Sequence, residues 1–265
     1  DEDWQNARQK VIVQVLKKEK NVDRVLAGGV FGLYAAEDIR SVSGKVLLKA
    51  DEIIEQKTTD ENGQISFLAD LPVDGKYYVK ELKAPDGFVT TEEKQEFTFE
   101  YKGENVTEVP YEFTCENEPT TVELTKADLT TGEELPGAHL KVTDKDGNIV
   151  DEWISEKNPH VLKELTVGKK YTLTETKPAD GFVTAESIEF TVENTAEIQR
   201  HEMKDDITKV QISKTDITGD KEIPGAKLII LDKNDQVVES WISTDKPHYV
   251  EKLPVGNYTL REEQA

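Results

Sequence analysis

Three lysines recur at one place in a repeated phrase: Lys17 in Val13-Gln14-Val15-Leu16-Lys17, Lys126 in Val122-Glu123-Leu124-Thr125-Lys126, and Lys214 in Val210-Gln211-Ile212-Ser213-Lys214. Apolar residues stand two and four positions before each lysine, the period of a strand with one apolar face. A glutamate recurs in step with them. Glu81, Glu175 and Glu262 each end a block that begins at a tyrosine (Tyr77, Tyr171 and Tyr258). A third position recurs twice: Asn117 lies five residues before Val122, and Asp205 five before Val210. An amide or acid thus closes each of the first two repeats, and the lysine opens it.

Those residue types suit spontaneous amide formation. A lysine amine attacks only when neutral, and burial among apolar groups lowers its pKa. The same burial raises the pKa of a glutamate, which then polarises the acceptor carbonyl as an acid and takes the amine's proton as a base. Fixed proximity makes the condensation unimolecular, with effective molarities that reach about 10⁵ M. Asn117 would release ammonia and Asp205 water. The competing reading is a solvated strand face, since Lys, Glu and Asn are common there in a chain so rich in charge.

The elements that must position these groups come from the repeats. Asp151-Glu152-Trp153-Ile154-Ser155 returns as Glu239-Ser240-Trp241-Ile242-Ser243, 88 residues on, and Pro159-His160 returns as Pro247-His248. That period is the size of a small domain rather than of a solenoid repeat. Boundaries fall near Pro119 and Ile207, giving domains 1–119, 120–207 and 208–265. The first is a divergent copy lengthened by an insertion around Ala36 to Thr59. Within the insertion, 45–49 and 53–59 read as strands, and Glu37 to Ser41 as a short helix. Asp60-Glu61-Asn62-Gly63 reads as a hairpin turn into Gln64-Ile65-Ser66-Phe67. Asp144-Lys145-Asp146-Gly147-Asn148 is also a turn, because the spacing of its acids fails the calcium-loop pattern. The third repeat reads as incomplete: Lys214 and Glu262 match, but no acceptor follows. Short strands broken by Gly, Pro, Asn and Asp indicate all-β sandwiches. No Gly/Ser-rich linker separates them, so the junctions should be short and stiff.

Composition excludes several functions. The 265 residues carry a net charge of -21, the opposite of what nucleic acid or an anionic lipid surface needs. No apolar run is long enough to span a membrane. Without a leader or sorting tail, the chain reads as the middle of something longer. Cys115 is the one cysteine, so no internal disulfide staples the chain. No Ser/His/Asp set, Cys/His pair or phosphate-binding glycine loop stands out, and the chemistry calls for no metal or other cofactor. His139, His160, His201 and His248 read as turn or surface residues. Trp153 and Trp241 read as core or inter-repeat packing.

Ser213-Lys214-Thr215-Asp216, Leu135-Pro136-Gly137-Ala138, Trp153-Ile154-Ser155 and Glu81-Leu82-Lys83-Ala84-Pro85-Asp86-Gly87-Phe88 resemble the phrases of Cna B-type, SpaA-like domains. These are the stalk repeats of Gram-positive adhesins and pilins. The resemblance covers essentially the whole chain. It implies tandem small β-sandwiches of inverse-immunoglobulin, prealbumin-like topology set end to end, with intramolecular Lys–Asn or Lys–Asp isopeptide bonds made by a catalytic glutamate. Carried over, Lys17, Glu81 and Asn117 fill these roles in the first repeat, and Lys126, Glu175 and Asp205 in the second. His201-Glu202-Met203-Lys204-Asp205 resembles the reactive strand of the Lys–Asp domain used in peptide-tag ligation. Lys18 is a rival donor in the first repeat, but alternation places Lys17 on the face of Val13 and Val15. The implied function is a structural stalk on the cell wall of a Gram-positive bacterium, not an enzyme, with neighbouring repeats as partners and sortase processing of the full-length protein. Two alternatives follow from the residues. The insertion would bind a host protein or glycan, or Glu81 and Glu175 would act as hydrolase acids in an open cleft.

Overall fold

The structure, a computed structural model, describes residues 9–41, 43–219 and 221–265. Among the described residues it is built of strands, and no helix is long and apolar enough to cross a membrane. By its contacts the chain divides into two compact units. One holds the chain up to Val122 with Leu162–Lys169 and Val192–Gln199, the other Glu123–Val161, Lys170–Thr191 and Arg200–Ala265.

In the first repeat the strands are β1 (Lys10–Glu19), β2 (Val30–Ala35), β3 (Ile39–Arg40), β4 (Val46–Leu48), β5 (Ile53–Thr58), β6 (Gln64–Phe67), β7 (Lys76–Lys83), β8 (Lys94–Thr98) and β9 (Glu108–Asn117). One sheet has the order β6-β1-β9, the other β5-β2-β7-β8. Their inner faces meet in one core. Val11, Val13 and Val15 of β1 with Ile65 and Phe67 of β6 pack with Phe31, Leu33, Tyr77, Val79 and Phe97 of the four-stranded sheet. Strict alternation in β1 makes this possible, since every second side chain points the same way. The first and last strands are neighbours: β1 runs antiparallel to β6 and parallel to β9, with Lys17 opposite Cys115 and Glu19 opposite Asn117.

The insertion corrects one expectation. Glu37 to Ser41 is not a helix: Ile39–Arg40 is β3, paired with β4. An isolated single turn of helix cannot recover its nucleation cost, whereas the hairpin buries Ile39. The Asp38 carboxylate then accepts the Ala50 N–H. The turn expected at Asp60–Gly63 is present, with Gly63 N–H donating to Asp60 O and Gly63 at φ 70°.

The second repeat has β10 (Thr121–Asp128), β11 (His139–Asp144), β12 (Ile149–Ile154), β13 (His160–Lys163), β14 (Lys170–Lys177), β15 (Ile188–Thr191) and β16 (Gln199–Asp205), in sheets β13-β10-β16 and β12-β11-β14-β15. Phe190 of β15 lies between Tyr171 of β14 and His201 of β16, its ring centroid 4.6 Å from the imidazole, which ties the two sheets together. Asp144–Asn148 is the turn between β11 and β12. The third repeat has β17 (Lys209–Ile212), β18 (Lys227–Leu231), β19 (Val237–Ile242), β20 (His248–Glu251) and β21 (Thr259–Gln264), paired as β17-β20 and β19-β18-β21.

The repeated loop phrases have a packing role. Leu135 and Ala138 form a small cluster with Ala179 and Phe182, as Leu26 does with Ala84 and Phe88. In the first two repeats the loop after the lysine strand is thereby held to the loop after the glutamate strand, which keeps the two strands in step.

Candidate functional site

The burial patterns deliver the polar groups into the core. In β1 the buried row Val11, Val13, Val15 continues as Lys17, and in β10 the row Val122, Leu124 continues as Lys126. In β14 the row Tyr171, Leu173 continues as Glu175, and β9 and β16 end in buried Asn117 and Asp205. These six residues, Glu81 of β7 among them, are between 0% and 5% exposed. Lys18, the rival donor, points outward to Asp23 at 3.2 Å.

In the second repeat the Lys126 ammonium contacts both carboxylates: Glu175 Oε1 at 2.9 Å, and Asp205 Oδ1, to which it donates a hydrogen bond. Glu175 Oε2 is held by the Ala185 N–H at 2.7 Å. Burial pushes the Asp205 carboxyl up to about 6; Lys126 opposes the shift and the Glu175 charge adds to it. Asp205 Oδ2 and Glu175 Oε1 have no aligned hydrogen bond.

In the first repeat Glu81 stands between Lys17 and Asn117. Its Oε1 lies 3.0 Å from Lys17 Nζ, and its Oε2 accepts from Asn117 Nδ2 at 2.9 Å and from the Thr91 N–H at 3.0 Å. Asn117 Nδ2 also donates to Val89 O at 2.6 Å. Both partners of that nitrogen are acceptors, which fixes the orientation of the amide. Lys17 Nζ meets Glu81 at ion-pair distance but off the hydrogen-bonding angle, so neither it nor Asn117 Oδ1 has an aligned partner. Buried polar atoms in that state are rare. Burial holds the Lys17 amine below its usual pKa, against the opposing charge of Glu81. It also pushes the neighbouring Cys115 thiol up to about 11, so the thiol stays protonated.

In the third repeat Lys214 Nζ lies 3.1 Å from Glu262 Oε2, with both side chains about one-third exposed. Donor and glutamate are together there, but neither is sealed from water.

The sequence profile of the SpaA prealbumin-like fold domain matches residues 11–112, 120–207 and 208–265. The chain belongs to this family. The TIE protein of Bacillus anthracis is 25% identical over 97% of this chain, with a TM-score of 0.49, and the chain spans 46% of that protein's length. The shaft pilin SpaA of Lactobacillus rhamnosus GG is 17% identical over 76% of this chain and 98% of its own, with a TM-score of 0.33. For the C-terminal fragment of the pilus adhesin SpaC from the same organism the values are 14%, 76%, 98% and 0.44. No curated protein sequence matches.

Several features of these SpaA-type repeats escaped sequence reasoning. Each glutamate sits beside a register shift. Glu81 pairs with Phe31, Glu175 with Leu140 and Glu262 with Leu228, and in each pair the ladder slips between that apolar residue and the one before it. Such bulges re-aim a side chain. Their sequence signal is the apolar residue just after the loop phrase. Thr91 and Ala185, which hold the glutamates, share only their place ten residues further on and a backbone N–H. The tryptophans are not core residues. Trp153 and Trp241 are half-buried on the edge strands β12 and β19, stacked on His160 and His248 at 4.0 and 4.3 Å between centroids. These histidines therefore open strands β13 and β20 rather than decorate turns, each bonded through Nε2 to Asp151 or Glu239.

Proposed function

We propose that this chain is part of the force-carrying stalk of a Gram-positive surface adhesin or pilin, stiffened by amide cross-links from Lys126 to Asp205 and from Lys17 to Asn117. Membership of the SpaA prealbumin-like family supports the structural role. The observation that carries the cross-links is the buried Lys126 ammonium in contact with both Glu175 and Asp205. A hydrolase acid would stand in an open cleft, whereas Glu81 and Glu175 are 3% and 5% exposed beside lysines.

In the second repeat Lys126 Nζ, having lost a proton to the neighbouring carboxylates, attacks Asp205 Cγ. The new C–N bond replaces a C–O bond, and the oxygen departs as water with protons returned by Glu175. In the first repeat Glu81 touches both the amine that loses a proton and the amide nitrogen that gains one, so one carboxyl carries the proton across as ammonia leaves. The reaction runs once per molecule during folding, so the chain is not a turnover enzyme. Its partners on this reading are the neighbouring repeats, and sortase acts on the full-length protein at the cell wall.

Intact-mass spectrometry tests the proposal. The expected mass is the sum of the residues less one ammonia and one water, with tryptic peptides joining Lys17 to Asn117 and Lys126 to Asp205. A mass equal to the plain sum sinks both cross-links.

A further inference from the structure

The peptide group of the reactive lysine is pinned on both sides in all three repeats, but not by the same means. On the carbonyl side the means are shared. Leu26, Leu135 and Ile223 donate their N–H groups to the carbonyls of Lys17, Lys126 and Lys214 at 3.0, 2.6 and 2.6 Å. On the N–H side the repeats diverge. Lys17 donates to Gly63 O at 2.7 Å, just beyond the last pair of the β1–β6 ladder, Leu16 with Gln64. Gly63 reaches that position at φ 70°.

In the third repeat the β17–β20 ladder ends at Ile212 with His248, one residue further from the lysine than in the first, and Pro247 precedes that histidine; the second repeat carries the same phrase, Pro159 before the histidine that opens β13. Proline has no N–H with which to carry the ladder on toward the lysine. The lysine N–H has lost its strand partner, and a side chain takes over. Lys126 N–H donates to Glu134 Oε2 at 3.3 Å, and Lys214 N–H to Glu222 Oε2 at 2.9 Å. The two glutamates occupy matched positions, Glu134 bridged to Ala127 and Glu222 to Thr215; the matching residue in the first repeat, bridged to Lys18, is Val25. A carboxylate is present where proline precedes the partner strand, and an apolar residue where Gly63 does.

We propose that Glu134 and Glu222 are positioning residues for the lysine. Each replaces a missing strand neighbour, so that the lysine backbone stays in register and its amine stays on the glutamate side of the core. Glu134 lines, with Trp153, Ser155, Pro159 and His160, an open cleft of about 290 Å³ that borders the strand at Lys126. Burial raises the Glu134 pKa, and the Lys126 N–H and Thr125 side chain oppose that shift. A partly desolvated carboxylate has reason to keep this bond. The chemical consequence rests on the cross-link reading, while the backbone clamp stands independently of it.

The test uses the whole chain with Glu134→Ala, Glu134→Gln and Glu222→Ala. Two quantities are read: amide hydrogen exchange at Lys126 and Lys214, and the rate at which unfolded chain from inclusion bodies loses water on refolding. Exchange at Lys126 should rise about five- to tenfold in Glu134→Ala, the loss of one hydrogen bond, and at Lys214 in Glu222→Ala. Water loss should slow in Glu134→Ala and recover in Glu134→Gln, whose amide oxygen accepts the same bond, while ammonia loss from the first repeat is unchanged. A linked wild type in which Glu134→Ala alters neither exchange nor rate overturns the proposal. A glutamine variant as slow as the alanine variant overturns the hydrogen-bonding role. A wild type with no mass deficit overturns the cross-link reading and the chemical role with it, and exchange at Lys126 and Lys214 then decides the clamp alone.

Discussion

Glu175 and Glu81 differ from ordinary buried acids in what they touch. Each lies about 3 Å from a lysine amine, with its other oxygen fixed by a backbone N–H. Replacing either by glutamine keeps the size and removes the carboxyl that the proposed reaction needs as proton carrier. Glu175→Gln should restore one water to the intact mass and leave the ammonia deficit; Glu81→Gln should do the reverse. Asp205 supplies a pH prediction. Its folded pKa of about 6 lies above the ordinary 3.8, chiefly through burial. A carboxyl raised on folding binds more protons in the folded state, so its contribution is fully present below about pH 4 and is lost as pH rises through about 6. Lys126→Met removes the donor, and with it the cation that opposes this shift. Urea melts of Lys126→Met should therefore show stability falling between pH 4 and 7 relative to Lys126→Met/Asp205→Asn. A flat difference between the two variants would contradict the assignment.

At the scale of elements, the lysine strands, glutamate strands and closing strands were legible because a buried strand face repeats every second residue. Lys17 and Lys126 continue apolar rows, and Glu175 continues the row of Tyr171 and Leu173. Adjacency of the first and last strands followed from the sandwich fold. Less legible was anything set by a loop of a few residues. The bulges beside Phe31 and Leu140, the hold of Thr91 and Ala185 on the glutamates, and the use of Glu134 where the first repeat uses the Gly63 carbonyl all depend on backbone paths that a two-residue period does not encode. The insertion was misread at Ile39 for the same reason, since its hairpin is decided by tertiary burial. Gly63 gives the element-scale prediction. A Cβ there would lie 2.6 Å from Lys17 O, and φ is already in the left-handed region. Gly63→Ala should cost at least 1–2 kcal/mol from backbone strain alone. Calorimetry should show it as a lower melting temperature for the first repeat only, with ammonia loss slowed on refolding.

For the whole molecule, the proposed cross-links would decide what unfolding can do. Lys126 and Asp205 are 79 residues apart in sequence, and closing a loop of that size restricts the unfolded chain by about 4.5 kcal/mol on the chain-entropy model. That is large beside the 5–15 kcal/mol of a typical domain, and with Cys115 the one cysteine no disulfide supplies an equivalent. The third repeat provides the comparison, since Lys214 Nζ is paired with Glu262 and is partly open to solvent. Amine-labelling reagent added to the chain in concentrated guanidinium therefore has a definite expected outcome. Folding no longer shields any side chain, so every lysine present as an amine should react, Lys214 and Lys18 included. On the proposed reading Lys17 and Lys126 should stay unlabelled, their nitrogens being amides. Glu175→Gln should return Lys126 to the labelled set without changing Lys17, and Glu81→Gln should do the opposite. Because the measurement is made on unfolded chain, burial cannot imitate the result: labelling of Lys17 and Lys126 in the wild type would mean that the buried contacts are ion pairs and no more.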